Sequence, residues 1–327
     1  MGRTKKRKRT QKKKKKNSFL PMLFILVIIL GIIFGLNVKN NGGGIKGVIA
    51  TILGQNTEKL ESLETKYVLI LGISKDINAS LTDTIMVAAY NPKVQKATIM
   101  SISRDTFVGA NTFSAKATDK LNSIYAQKGI EGTIKKVNSL TGLDIEDYVI
   151  VNNNALIEIV NEIGGVEFDV PIDMEYDDPT QDLHIRLSKG IQVIDGEKAE
   201  WLLRFRHNND GSSYPASYGD NDNGRMKTQR EFIKETVKQT LNFKNIFKVK
   251  NIVNSIYNNV ETSLDKDEIL AYVTCVSEFN VDNLKMYQFP GTSKLCNSLW
   301  FVVTDKTQAK NVIGEMNNFL DTKDIGN

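Results

Sequence analysis

The chain has only two histidines and two cysteines among 327 residues, and each scarcity closes off a chemistry. His184 and His207 leave few candidates for histidine-based acid/base work. Cys275 and Cys296 have no histidine or further cysteine at metal-ligand spacing, which argues against a zinc centre. The two thiols can pair in an oxidising compartment, or lie apart, one in a helix and one in a loop. Acidic side chains are missing from residues 3–16, where eleven of the 14 positions are Arg or Lys. Charge of either sign is then missing from residues 19–36, a run rich in Leu, Ile, Val and Phe.

Eighteen uncharged residues are about the minimum for a membrane-spanning helix. A polybasic run alone suggests nucleic acid, but beside an apolar span the positive-inside rule accounts for it better. No Ala-x-Ala cleavage site follows, so the span reads as a retained anchor. The expected order is a basic cytoplasmic tail (1–18), a single transmembrane anchor (19–36), an Asn/Gly-rich linker and neck (37–64) and an extracellular domain (65–327). The protein is therefore expected in the cell membrane, with its N-terminus cytoplasmic. Setting aside the eleven N-terminal cations leaves 32 of the 43 basic residues against 38 acidic ones. The exported part is acidic, and nucleic acid is not an expected partner.

Alternating apolar runs and amphipathic stretches predict strands at 67–71, 85–90, 96–103, 148–151, 166–170, 284–289 and 299–303. Helices are predicted at 119–127, 131–140, 155–163, 195–206, 225–241, 246–257, 268–279 and 308–320. The turn signal Asn91-Pro92 makes the second and third strands a hairpin. Strands and helices alternate with no interior linker and no repeat, which gives one α/β or α+β domain. The expected architecture is α-β-α sandwich-like, a central mixed sheet flanked by helices.

Four polar segments fall at the ends of apolar elements, where side chains can converge on a cleft. They are Thr82-Asp83-Thr84, the stretch from Ser101 to Thr106, Arg204-Phe205-Arg206, and the helix entry from Asp222 to Arg230. Guanidinium forks match phosphate oxygens two at a time, and a helix N-terminus favours an anion. Arg204, Arg206 and Arg225 thus suggest a clamp for a phosphorylated ligand.

These segments resemble the LytR-CpsA-Psr proteins of bacterial cell envelopes. The resemblance runs in order through Leu69-Ile70-Leu71-Gly72, Asp83-Thr84-Ile85-Met86, Ser103-Arg104-Asp105-Thr106, Lys120-Leu121-Asn122-Ser123 and Asp147-Tyr148-Val149-Ile150. It continues through Ile163-Gly164-Gly165-Val166, Asp195-Gly196-Glu197, Arg204-Phe205-Arg206 and Asp222-Asn223-Gly224-Arg225, covers about residues 66–240, and weakens after about 245. It implies a phosphotransferase moving a glycopolymer of the teichoic acid or capsular polysaccharide type from undecaprenyl pyrophosphate to the muramic acid C6 hydroxyl of peptidoglycan.

By the same correspondence Asp83 holds Mg2+, with Asp76 as a second candidate ligand, and Arg104, Arg204, Arg206 and Arg225 grip the pyrophosphate. Gln229 adds a hydrogen bond, and Asp222 orients an arginine or assists the acceptor hydroxyl. The chain departs from the family pattern at Ser74, where a carboxylate is usual, and at Leu81 and Thr228, where arginines are usual. Lys227 or Arg230 is a possible substitute for the cation missing at Thr228. These departures support a rival reading, a catalytically weakened or inactive protein that binds polyprenyl-linked glycans.

Overall fold

The computed structural model describes residues 33, 35–76, 79–180, 183–219, 221–240, 249–277 and 279–323, with the side chains of 74–76, 79, 80, 221 and 249 left aside. The tail and nearly all of the expected span at 19–36 lie outside the described residues. Among those described, no helix is long and apolar enough to cross a membrane.

The neck consists of helices α1 (Gly44–Leu53) and α2 (Thr57–Glu61). Its Ala50 and Leu60 pack with Ala271 and Cys275 of α8 (Lys266–Val276). The central sheet has six strands: β1 (Lys66–Asp76), β2 (Ala79–Asn91), β3 (Lys96–Ile102), β4 (Asp147–Asn152), β9 (Glu261–Thr262) and β10 (Leu284–Gln288), in the order β10-β3-β2-β1-β4-β9. The 85–90/96–103 hairpin is present, and β1 pairs antiparallel with β2 but parallel with β4, so the sheet is mixed as expected.

Side chains alternate across a strand, and here the alternation makes two layers. Leu69, Leu71, Ile85, Val87, Met100 and Ile102 meet α3 (Ile124–Thr141) and α9 (Lys306–Asp321) on one face. Ile70, Met86, Ala88 and Ile99 take the other, against Ile233 of α6 (Asn221–Thr240) and Phe279. The structure joins the two helices expected at 119–127 and 131–140 into α3, with short 3-10 turns in front and a break at Gly129, whose φ is 65°. A break at glycine is cheap because no Cβ opposes positive φ.

A second apolar core lies beside the first. It is built from α4 (Asn153–Ile163), α5 (Gly196–Arg204), and two antiparallel strand pairs, β5 (Val166–Val170) with β8 (Gly190–Ile194) and, between them in the chain, β6 (Met174–Asp178) with β7 (Leu183–Leu187). Of these strands only β5 was expected. The others are five residues long, as β5 is, and β8 leaves Ile191 and Val193 exposed, so it lacks the apolar-inward, polar-outward alternation of β5. Further along, β11 (Thr292–Cys296), also unexpected, pairs with β12 (Leu299–Val303). Cys275 and Cys296 are thiols buried in separate apolar clusters.

Candidate functional site

Between the sheet, α4, α5 and α6 lies a cavity of about 510 Å3. Its inner wall is apolar, with Ile70, Met86, Leu156, Ile159, Leu203 and Ile233, and its mouth carries Asp83, Arg104, Arg204, Arg206, His207 and Arg225.

The sheet delivers Asp83 through an irregularity. Gly72 pairs with Thr84 and Ile73 pairs with Thr82, so the register skips Asp83. An unpaired extra residue of this kind re-aims a side chain. Strict alternation would send Asp83 to the opposite face from Thr84 and Met86; with the bulge, all three line the cavity. Gly72 sits across from it because an added Cβ would lie 2.9 Å from the Thr84 Cβ.

The arginines arrive from three other elements. Arg104 follows β3 and donates to the Asp83 carboxylate through Nη1. Arg204 ends α5 and Arg206 follows it, with Phe205 between them buried in the second core. The clamp therefore has a hydrophobic pin, which turns both flanking guanidiniums toward the cavity. Arg225 enters from the first turns of α6 and is 4% exposed. Its Nη2 reaches the Asp83 carbonyl at 3.3 Å and Asp222 Oδ1 at 2.7 Å.

Burial, reinforced by Arg104 and Arg206, pushes the Arg225 guanidinium below its ordinary range, against the pull of Asp222. Burial acts the same way on Arg104, but there Asp222, Asp83 and Asp105 outweigh it and raise the group. The buried Nε–H donors of Arg104, Arg206 and Arg225 have no hydrogen-bond acceptor. Buried donors of this kind are costly unless something accepts from them, and phosphate oxygens are suitable acceptors.

The other expected residues fall into place around this cluster. Asp222 lies between Arg225 and Arg206, the latter at 3.6 Å, and so orients arginines. Gln229 gives its amide hydrogens to Thr84 at 3.1 Å and to the Leu203 carbonyl at 3.0 Å, which braces β2 against the end of α5. Leu81 lines the cavity. Thr228 is fully buried and bonds the Tyr218 hydroxyl at 3.1 Å. Lys227 lies 4.1 Å over the Tyr218 ring, and neither it nor Arg230 is among the lining residues, so neither replaces a cation at the cavity.

The side chains of Ser74 and Asp76 lie outside the described residues. No group of three or more His, Cys, Asp or Glu that could hold a metal ion occurs among the described residues, which leaves Asp83 as the expected ligand at the cavity.

Two contributors were not read from the sequence, Glu200 and Tyr176, and His207 stood there only as one of two histidines able to do acid/base work. Glu200 Oε1 accepts from Arg204 Nη1 at 2.7 Å and from Asn153 Nδ2 at 2.8 Å. The i, i+4 spacing of Glu200 and Arg204 on a predicted helix was a usable signal for that pair. Tyr176 comes from a strand that was not expected.

The entry to α6 is fixed by close packing. A Cβ on Gly224 would sit 2.3 Å from both the Gly219 carbonyl oxygen and the Tyr214 ring. Gly224→Ala is therefore expected to overpack the turn that sets Asp222 and Arg225, costing about 2 kcal/mol. Thermal unfolding should show Tm lowered by about 4–8 °C, and an unchanged Tm would mean the turn adapts freely.

Comparison with known proteins agrees with this architecture. The LytR_cpsA_psr family model matches residues 36–318. The polyisoprenyl-teichoic acid–peptidoglycan teichoic acid transferase TagU of Enterococcus faecalis is 27% identical over 272 residues, 81% of this chain and 82% of TagU. Biofilm regulatory protein A of Streptococcus mutans is 30% identical over 192 residues, 56% of this chain, and the match spans less than half of that relative, 45%. In fold, the crystal structure of Bacillus subtilis TagV superposes with a TM-score of 0.65 at 24% identity, covering 79% of this chain and 98% of TagV. A family match over nearly the whole described domain, carried on the same mixed sheet, makes this chain a member of the LytR-CpsA-Psr family.

Proposed function

We propose that the protein transfers a glycopolymer, of the teichoic acid or capsular polysaccharide type, from a polyprenyl pyrophosphate carrier to the C6 hydroxyl of peptidoglycan muramic acid. The carrying observation is a single cavity with two chemistries: three unsatisfied buried arginine donors at its mouth and an apolar inner wall. A pyrophosphate joined to a long hydrocarbon fits both ends. The transferase name of the E. faecalis relative, aligned over most of both chains, supports the same assignment.

A second apolar cavity of about 310 Å3 lies further along the same sheet face. Its lining steps from Ile70 to Val68, from Met86 to Ala88 and from Ile233 to Val237, two residues along each strand and four along the helix. The two cavities thus lie in line along the same strands and helix.

The arginines bind the phosphates and stabilise charge that builds on their oxygens during transfer, the main contribution available in phosphoryl transfer. Glu200 and Asp222 hold Arg204 and Arg225 in place. Mg2+ is compatible with the donor set, because it accepts one or two carboxylates and completes its shell from water and substrate phosphates. Asp83 would hold it, and the ion would supply further neutralisation of phosphate charge. The domain is read as tethered to the outer face of the cell membrane by the span at 19–36, close to its lipid substrate.

The test is transfer by the full chain from a polyprenyl-pyrophosphate glycan to peptidoglycan, with and without Mg2+, beside Arg204→Ala. Transfer that needs Mg2+ and is lost in the variant is expected. Carrier binding without turnover by the unaltered chain would instead select the weakened, glycan-binding reading that Leu81 and Thr228 favour.

A further inference from the structure

We infer that His207 is the general base that takes the proton of the attacking hydroxyl. The assignment rests on the transfer reading above. His207 lies directly after Arg206 and lines the cavity mouth with an exposed side chain. Its Nδ1 is 3.0 Å from the Asn208 carbonyl oxygen. A carbonyl oxygen can only accept, so Nδ1 carries the hydrogen, and in the neutral ring Nε2 holds the lone pair. No hydrogen bond engages Nε2 among the described residues.

The ring and its carbonyl partner are both held in place. Tyr176 packs edge-on against the imidazole, with ring centroids 5.4 Å apart. Asn208 is pinned to β6, its Oδ1 accepting from the Glu175 amide at 2.6 Å, and its amide donates to the Ser212 carbonyl at 2.7 Å. The tautomer is thereby set by backbone geometry, a common way of fixing which nitrogen acts as base.

The alternatives at the mouth are occupied. Asp222 pairs with Arg225 and Arg206, and Asp83, the expected Mg2+ ligand, pairs with Arg104. The charged and titratable groups on the elements around His207 are Glu175, Tyr176, Asp177 and Asp178 of β6, His184 and Arg186 of β7, and Arg204, Arg206 and Asp210 of its own segment. Asp177 is paired with His184 and with Arg186, and Glu175 lies 4.0 Å from Arg186. Neither carboxylate is paired with His207.

In the step assigned to it, the acceptor oxygen forms a bond to the phosphorus that bears the glycan. Its proton passes to Nε2, and the bond from that phosphorus to the carrier's bridging oxygen breaks. The carrier leaves as its monophosphate with the electron pair, and the imidazolium then returns the proton to water. Only the neutral ring, with its lone pair on Nε2, can take this proton.

The experiment measures transfer by the full chain against pH for the unaltered protein, His207→Ala, His207→Gln and His184→Gln. Loss of a positioned base typically costs about 10^2-fold or more. Both His207 variants should lose about that factor in kcat with little change in KM. Added imidazole should restore part of the activity of His207→Ala, and His184→Gln should behave like the unaltered chain. His207 variants that transfer at the normal rate, or that lose rate equally at every pH without imidazole rescue, overturn the assignment while leaving the transfer reading standing. No transfer by the unaltered chain overturns that reading and the base with it.

Discussion

Arg225→Ala is expected to reduce transfer by about 10^3-fold or more in single-turnover rate. Removing one preorganised donor from a charge-stabilising site costs roughly 10^2- to 10^3-fold, and a cation that meets phosphoryl charge in the transition state is worth roughly 10^3- to 10^5-fold. Arg225 is the most buried of the four arginines, and it also holds Asp83 in place through its carbonyl. Losing it removes a cation and loosens the strand that carries the expected metal ligand. Arg225→Lys should recover little, because an ammonium is a point charge without the planar fork, whose Nη2 meets Asp222 and the Asp83 carbonyl while its Nε is left without an acceptor. The fold should survive, since Asp222 keeps Arg206 nearby and its side chain is 22% exposed. A near-normal Tm with transfer lost is the expected pair of results, and transfer within tenfold of normal would remove Arg225 from the phosphate site.

Filling the apolar cavity should act on the other end of the substrate. Ile233→Trp places a larger ring where α6 faces Met86 and Ile99, between the arginine mouth and the second cavity. Each isoprene unit, roughly five carbons, gains about 0.8 kcal/mol per carbon on leaving water. Excluding one unit therefore costs about 4 kcal/mol, or roughly 10^3-fold in affinity. Titration with water-soluble analogues of increasing prenyl length should show the loss once the chain is long enough to reach Ile233. A pyrophosphate with a single isoprene should bind both proteins alike. Uniform weakening at every length would mean that the substitution disturbs the arginines instead, and no weakening would move the hydrocarbon elsewhere.

Much of the fold is legible because its longer elements carry their own periodicity. The run at 67–71 sits inside β1, and Asp195 caps α5 by accepting from the Lys198 amide, as its residue type predicts. Of the unexpected strands, β6, β7, β8 and β11 are five residues long and β9 only two; β6 and β7 pair with each other, β8 with β5, β11 with β12 and β9 with β4. Their identity as strands depends on a partner, which a local pattern does not supply.

The site divides along the same line. The sequence by itself picked out the groups: Asp83, Arg104, Arg204, Arg206 and Arg225 line the cavity, with Asp222 paired to two of them, and residue type and motif order pointed to a phosphorylated ligand. Only the tertiary structure decided how they act. Asp83 reaches the cavity through a register skip between two strands, Gln229 bonds Thr84 across 145 residues of sequence, and His207 receives its tautomer from a backbone carbonyl. Each depends on where one segment lies against another. A residue's acid/base and hydrogen-bonding capacity is a property of its side chain, whereas its direction and partner follow from packing between elements distant in the chain.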